Sequence, residues 1–124
     1  MTTTAVLLLL LGLTIKHFIV DFPLQAYPYQ YLNKGTYGHP GGLLHSGMHA
    51  IGTLVVLIWA VSPITALIFA LADYAIHYHV DWAKMNVNKK YGLKPDNSEW
   101  FWIALGVDQL LHSLTYLWIV WMVM

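Results

Sequence analysis

Four apolar stretches, each about as long as a bilayer's hydrocarbon core is thick, leave this chain few folds to adopt. The first runs from about Thr4 to Phe22 and stops at Pro23, whose ring removes a backbone donor from the helix ladder. Residues 23–42 are rich in Pro, Gly, Tyr and Asn and read as an irregular interfacial loop. A second stretch spans residues 43–61, and Ser62-Pro63 then offers an N-cap and a first-turn proline, so a third starts at once over 63–83. Met85 to Asn97 is the most polar segment, and Asn97 or Ser98 can cap a fourth helix over 98–123. At about 19 to 25 residues, each stretch suits a transmembrane helix. With 58% hydrophobic and only 10% charged residues, the chain cannot supply the polar shell of a soluble domain, where about a quarter of residues are charged. The expected fold is all-α: a polytopic four-transmembrane-helix bundle forming a single integral membrane domain, residues 1–124.

Orientation follows from the lysines. All six basic residues are Lys, at 16, 34, 84, 89, 90 and 94. Every one falls at the ends of, or in the loops after, the first and third helices, and none in the Ser62-Pro63 turn or at the termini. The positive-inside rule then puts both termini outside and both long loops in the cytoplasm. Trp100 and Trp102 sit where an interfacial aromatic belt is expected. Ala5 to Ile15 lacks the positive flank and small-residue cleavage site of a signal peptide and is expected to stay as a helix. A net charge of zero without a basic stripe speaks against nucleic acid as a partner, and the lack of cysteine excludes disulfides and thiolate metal sites.

Against this apolar background stand His17 and Asp21, His45 and His49, Asp73, His77 and Asp81, and Asp108 and His112. Neighbours within each group are four residues apart, one turn along a single helix face. Seven His and six acids in 124 residues give a His such a neighbour about one time in five by chance, yet five of the seven have one. With alternating helix direction, the groups all approach the cytoplasmic face at one depth. An ionisable group inside a membrane costs about 2.5–3.5 kcal/mol at a helix centre, so nine must neutralise one another or bind something.

Imidazole with carboxylate is a ligand set for a divalent transition metal: zinc first, with manganese or iron also suited. Helix bundles build such sites from facing helices. The expected ligands are His17, Asp21, His45, His49, His77, Asp81, Asp108 and His112, enough for one or two ions. Asp73, one turn deeper, suits orienting a His or acting as base, and Asp81 and Asp108 are the other catalytic candidates. A metal-free His/Asp proton relay and structural glue between helices are the competing readings. His39 and His79 are assigned to loop and interface. Gln25 is a weaker candidate, and Gln109 suits an interhelical hydrogen bond as well as support of a ligand. Tyr116 packs or donates to an oxyanion, with packing preferred, and Gly47 and Gly52 are expected to allow close helix approach.

The stretch His17-Phe18-Ile19-Val20-Asp21-Phe22-Pro23-Leu24-Gln25, then Leu44-His45 with His49, His77 to Asp81, and Asp108-Gln109-Leu110-Leu111-His112 together resemble a family of small phage and bacterial membrane proteins of unknown function. The likeness covers almost the whole chain and implies a bacterial inner membrane or a phage-infected host membrane. More loosely, the scheme looks like membrane-bound metal-dependent hydrolases, which also place His and Asp on several transmembrane helices; that likeness implies hydrolysis without naming a substrate.

The leading expectation is a metal-dependent hydrolase acting on an ester or phosphoester, with membrane lipid around it and a lipid-like substrate. With no Ser-His-Asp elbow, P-loop or Cys nucleophile, covalent catalysis has no support. The alternative is a non-enzymatic metal- or proton-handling protein or a metal-stabilised scaffold. An interaction protein acting on a host membrane partner has no positive signal in the sequence.

Overall fold

Capping residues set the helix limits in the computed structural model, which describes residues 1–124 apart from the side chain of Ala26. The Thr2 hydroxyl accepts from the Ala5 amide and opens α1, Thr3–Asp21. A 3-10 turn at Leu24–Ala26 and the short α2, Pro28–Tyr31, follow. His39 caps α3, Pro40–Leu57, by accepting from the Gly41 amide, with Pro40 in its first turn. Ser62 caps α4, Pro63–Tyr91, and Ser98 caps α5, Glu99–Val123. No strand occurs among the described residues.

Three expectations about helix limits are corrected. The second long helix begins at Pro40 rather than Leu43, because His39 and Pro40 form a start signal inside the Gly/Pro-rich segment. It ends at Leu57 rather than Val61, as the Ala60 and Val61 amides turn back onto the Leu57 carbonyl. The third continues past Ala83 to Tyr91, so most of the presumed polar loop is helical. Nothing from Met85 to Tyr91 breaks a helix, and Lys89 and Lys90 complement the dipole of the last turn. Gly92, at φ 62, supplies the left-handed stop.

The hairpin α3–α4 packs beside α1 and α5, giving a closed ring in which α1 touches α3 and α5 and α4 touches the same two. One end holds an apolar plug of Leu9, Leu13, Leu57, Ala66, Tyr116, Ile119 and Val120. The rest of the interior is polar: among the described residues, buried polar and charged side chains outnumber buried apolar ones. The outside is the reverse, with Leu7, Leu8, Ile51, Val55, Leu67 and Leu71 all exposed. Two helices, Thr3–Asp21 and Glu99–Val123, are long and apolar enough to cross a membrane.

Glycine matters at several close approaches: a Cβ on Gly12 would stand 3.0 Å from Val56 Cγ1, and one on Gly41 would collide with the Tyr29 carbonyl oxygen. A Cβ on Gly52 would stand 3.1 Å from Lys16 Cδ, so Gly52 opens the path by which Lys16 crosses from α1 into the interior. Gly47, expected to serve close approach, has room: a Cβ there would meet only Tyr74, at an ordinary 3.6 Å.

Candidate metal centre

Helical periodicity delivers the ionisable groups to one level of the bundle. The last turn of α1 contributes Asp21, α3 His45 and His49, the middle of α4 His77 and Asp81, and the middle of α5 Asp108 and His112. All are buried, with His45, His49 and His77 fully inaccessible.

Two groups of donors converge, Asp21 with His45, His49 and His77, and His77 with Asp81 and His112. Asp21 Oδ1 lies 3.2 Å from His45 Nε2, 2.9 Å from His49 Nε2 and 3.9 Å from His77 Nε2. Asp81 Oδ2 is 3.4 Å from both His45 Nε2 and His77 Nε2, while its Oδ1 is 3.3 Å from His112 Nε2. His112 Nε2 is also 3.3 Å from Asp108 Oδ1. The His77 ring is sandwiched between His49 and His112, with centroids at 3.6 and 3.9 Å.

Several of these atoms are close without being aligned for hydrogen bonds. His45 Nε2, both nitrogens of His77 and Asp108 Oδ1 are buried and unpartnered, whereas Asp81 Oδ2 is held by Lys34. An orphaned buried polar atom costs about 1–3 kcal/mol, and several crowded together call for a shared partner. A tetrahedral shell of N and O donors at ~2.1 Å places the donors roughly 3.4 Å from one another. The separations found here cluster around that value, so the residues fit a divalent ion. The surroundings agree at His45: its Nδ1 faces Gln30 Oε1 at 3.3 Å, which sets the ring proton on Nδ1 and leaves Nε2 free to ligate.

Residues 6–124 match the family model described as Protein of unknown function (DUF3307). The chain belongs to that family. No curated protein and no solved structure matches it.

In this DUF3307 chain, six of the eight expected ligands fall within the two donor groups, and Asp108 adjoins them through His112. His17 stands aside. Its Nδ1 meets the Tyr116 hydroxyl at 2.8 Å and its Nε2 meets Gln109 Oε1 at 2.9 Å and Asp21 Oδ2 at 3.0 Å. The Gln109 amide nitrogen donates to Asp21 and Asp108, at 3.2 and 3.1 Å, which turns its oxygen toward His17 and places the His17 proton on Nε2. Both His17 nitrogens are therefore engaged, one of them with Asp21. Tyr116, expected to pack, hydrogen-bonds His17, and Gln109 links α5 to α1.

Sequence reasoning missed the lysines. Lys16 reaches Asp73 at 2.7 Å, Lys34 reaches Asp81 at 2.8 Å, and Lys84 reaches Asp108 at 3.0 Å. Lys16 and Lys34 are buried and Lys84 is half-buried, so three lysines counted toward the charge of the cytoplasmic side belong to the interior. Lys34 also donates to Gln25, which itself donates to the Asp21 carbonyl. Asp73, expected to orient a His or act as base, instead accepts from Lys16 and Thr53. Four carboxylates against three ammonium groups leave one negative charge with the imidazoles neutral. It falls on Asp21, which among the described residues has no lysine partner and is surrounded by His17, His45, His49 and His77. His79, expected to be a bystander, is exposed and bonds the Tyr37 hydroxyl.

Proposed function

We propose that this protein is a membrane-embedded metal-dependent hydrolase of an ester or phosphoester, spanning the bilayer four times with its centre toward the cytoplasm. The observation that carries this reading is the convergence of unpartnered His45, His77 and Asp108 atoms, with Asp81 between them, at metal-ligand separations. Asp21, His45, His49 and His77 would hold one ion; Asp81, which faces both donor groups, and His112 would hold a second or support the first. Zinc suits the N/O set best, with manganese or iron as substitutes. A divalent ion supplies Lewis acidity and activates water for attack on an ester or phosphoester. Asp108 has one oxygen held by Lys84 and the other free, which suits it to take a proton from water. Asp73 positions Lys16, which in turn donates to the His49 carbonyl at 3.1 Å.

Four spans are supported by the inverted burial. Helices α3 and α4 owe their weaker apolar character to His45, His49, Asp73, His77 and Asp81, all turned inward, while Ile51, Val55, Leu67 and Leu71 face outward. The lysines outside the interior, Lys89, Lys90 and Lys94, all follow the span of α4. A reporter fused to the C-terminus is expected on the external side; a cytoplasmic C-terminus contradicts the orientation.

One observation favours a second reading, a metal-free proton relay. Lys16 Nζ lies 3.4 Å from His49 Nδ1, a contact that would place the His49 proton on Nε2, facing Asp21. Zinc titration of two variants separates the readings. His49→Ala should weaken binding about 10-fold or more, and His79→Ala should leave it unchanged. Equal losses, or a larger one for His79→Ala, favour the relay. With metal saturating, turnover of a chromogenic phosphoester or ester tests the enzyme assignment; none with either class leaves a metal-stabilised scaffold.

A further inference from the structure

We infer that the cytoplasmic side of α4 and α5 binds a phosphate-bearing anionic lipid, headgroup in a lysine-lined cavity and acyl chain in the adjoining apolar groove. The inference deepens the hydrolase reading by naming its substrate class and rests on it for the chemistry, though not for the binding. A cavity of about 510 Å³ opens beside the donor cluster, and Lys34, Lys84, Lys89 and Lys94 line it. No acidic residue lines it among those described. Lys34 and Lys84 are engaged with Asp81 and Asp108, so the back wall of the cavity is one side chain removed from the candidate metal ligands. Lys89 and Lys94 are exposed at its rim. Asn88 adds a buried, unpartnered Oδ1 that suits a hydroxyl of a headgroup. Lys89 and Lys94, whose charges no lining acid offsets, make the rim an anion site, and at a membrane surface each lysine adds appreciably to attraction for anionic lipid.

The second part of the ligand is set by continuity. Leu93 lines both this cavity and an apolar one of about 450 Å³ walled by Val87, Trp100 and Ile103. Val87 and Ala104 carry the surface on into a third hollow of about 430 Å³ between α4 and α5, lined by Val80, Val107 and Leu111 but also by His79 and Asp108. Lys84 lines both that third hollow and the lysine cavity. A ligand occupying the lysine cavity and the apolar one that Leu93 joins to it is charged at one end and apolar at the other. Free inorganic phosphate uses only the first, a zwitterionic lipid gains little from the lysines, and an anionic phospholipid satisfies both.

Calorimetric titration of the full-length protein in detergent, with and without EDTA, tests this using dioctanoyl phosphatidic acid, dioctanoyl phosphatidylcholine and inorganic phosphate. Phosphatidic acid should bind at least about 10-fold more tightly than phosphatidylcholine, and Lys89→Gln/Lys94→Gln should remove most of that margin. Ala104→Trp, which fills the groove, should weaken phosphatidic acid and leave phosphate unchanged. Equal affinity for the two lipids, or indifference to the double lysine variant, overturns the anion site. Phosphate binding as tightly as phosphatidic acid, with Ala104→Trp inert, overturns the lipid assignment. Because the EDTA arm reads lipid binding without metal, lipid binding there in a protein that takes up no metal upholds the lipid site and sinks the hydrolase. Loss of lipid binding in a protein that does take up metal sinks only the lipid site.

Discussion

Asp21→Asn is expected to lower zinc affinity by at least about 100-fold while leaving the metal-free protein as stable as before, or more so. Asp21 carries the one interior negative charge that no lysine offsets, and Oδ1 is the atom on which His45, His49 and His77 converge. The amide is nearly isosteric and removes that charge, so the metal-free interior becomes neutral while the ion loses an anionic ligand. If Asp21 were only the acceptor for a set of buried histidines, the same change would destabilise the metal-free protein, because imidazole donors would lose their best acceptor. Asp96→Asn, in the exposed loop before α5, is the control and should alter neither quantity. Metal titration with melting curves in EDTA reads both.

Lys16→Met should destabilise the protein by about 3–5 kcal/mol, since it strands the Asp73 carboxylate in the interior with only Thr53 to solvate it. Combining it with Asp73→Leu should recover most of the loss, because replacing both members of a buried ion pair by apolar groups is often close to neutral. A double variant no more stable than Lys16→Met would mean that Lys16 serves chiefly His49, whose carbonyl it also bonds. Unfolding of the single and double variants in detergent gives the comparison.

Much of this site is legible in the sequence, because a four-residue spacing on a helix is a statement about direction. The pairs His45/His49, His77/Asp81 and Asp108/His112 meet because each lies on one face of a helix whose other faces are apolar. His17 has the same spacing to Asp21 and lies on the same face, yet Gln109 and Tyr116 take up both of its nitrogens. Spacing identifies a face and leaves open what already sits there. The lysines have no such periodic signal. Lys16 enters by a long flexible stem passing over Gly52, and Lys34 comes from a loop that folds back under the bundle. Their carboxylate partners lie on other elements, so nothing local in the chain announces the pairs. Polarity is not irregularity: Met85 to Tyr91 is polar yet free of breakers, and Gly92 alone ends the helix.

Metal content tests the central claim most directly. Full-length protein purified in detergent without chelators should hold about one to two equivalents of a divalent transition metal, and EDTA should lower its melting temperature, because an ion bound only by the folded state stabilises by mass action. Protein that carries no such metal, and whose melting curve is unmoved by added zinc or manganese, would contradict the account and leave the buried His and Asp groups as a proton relay or as glue between helices.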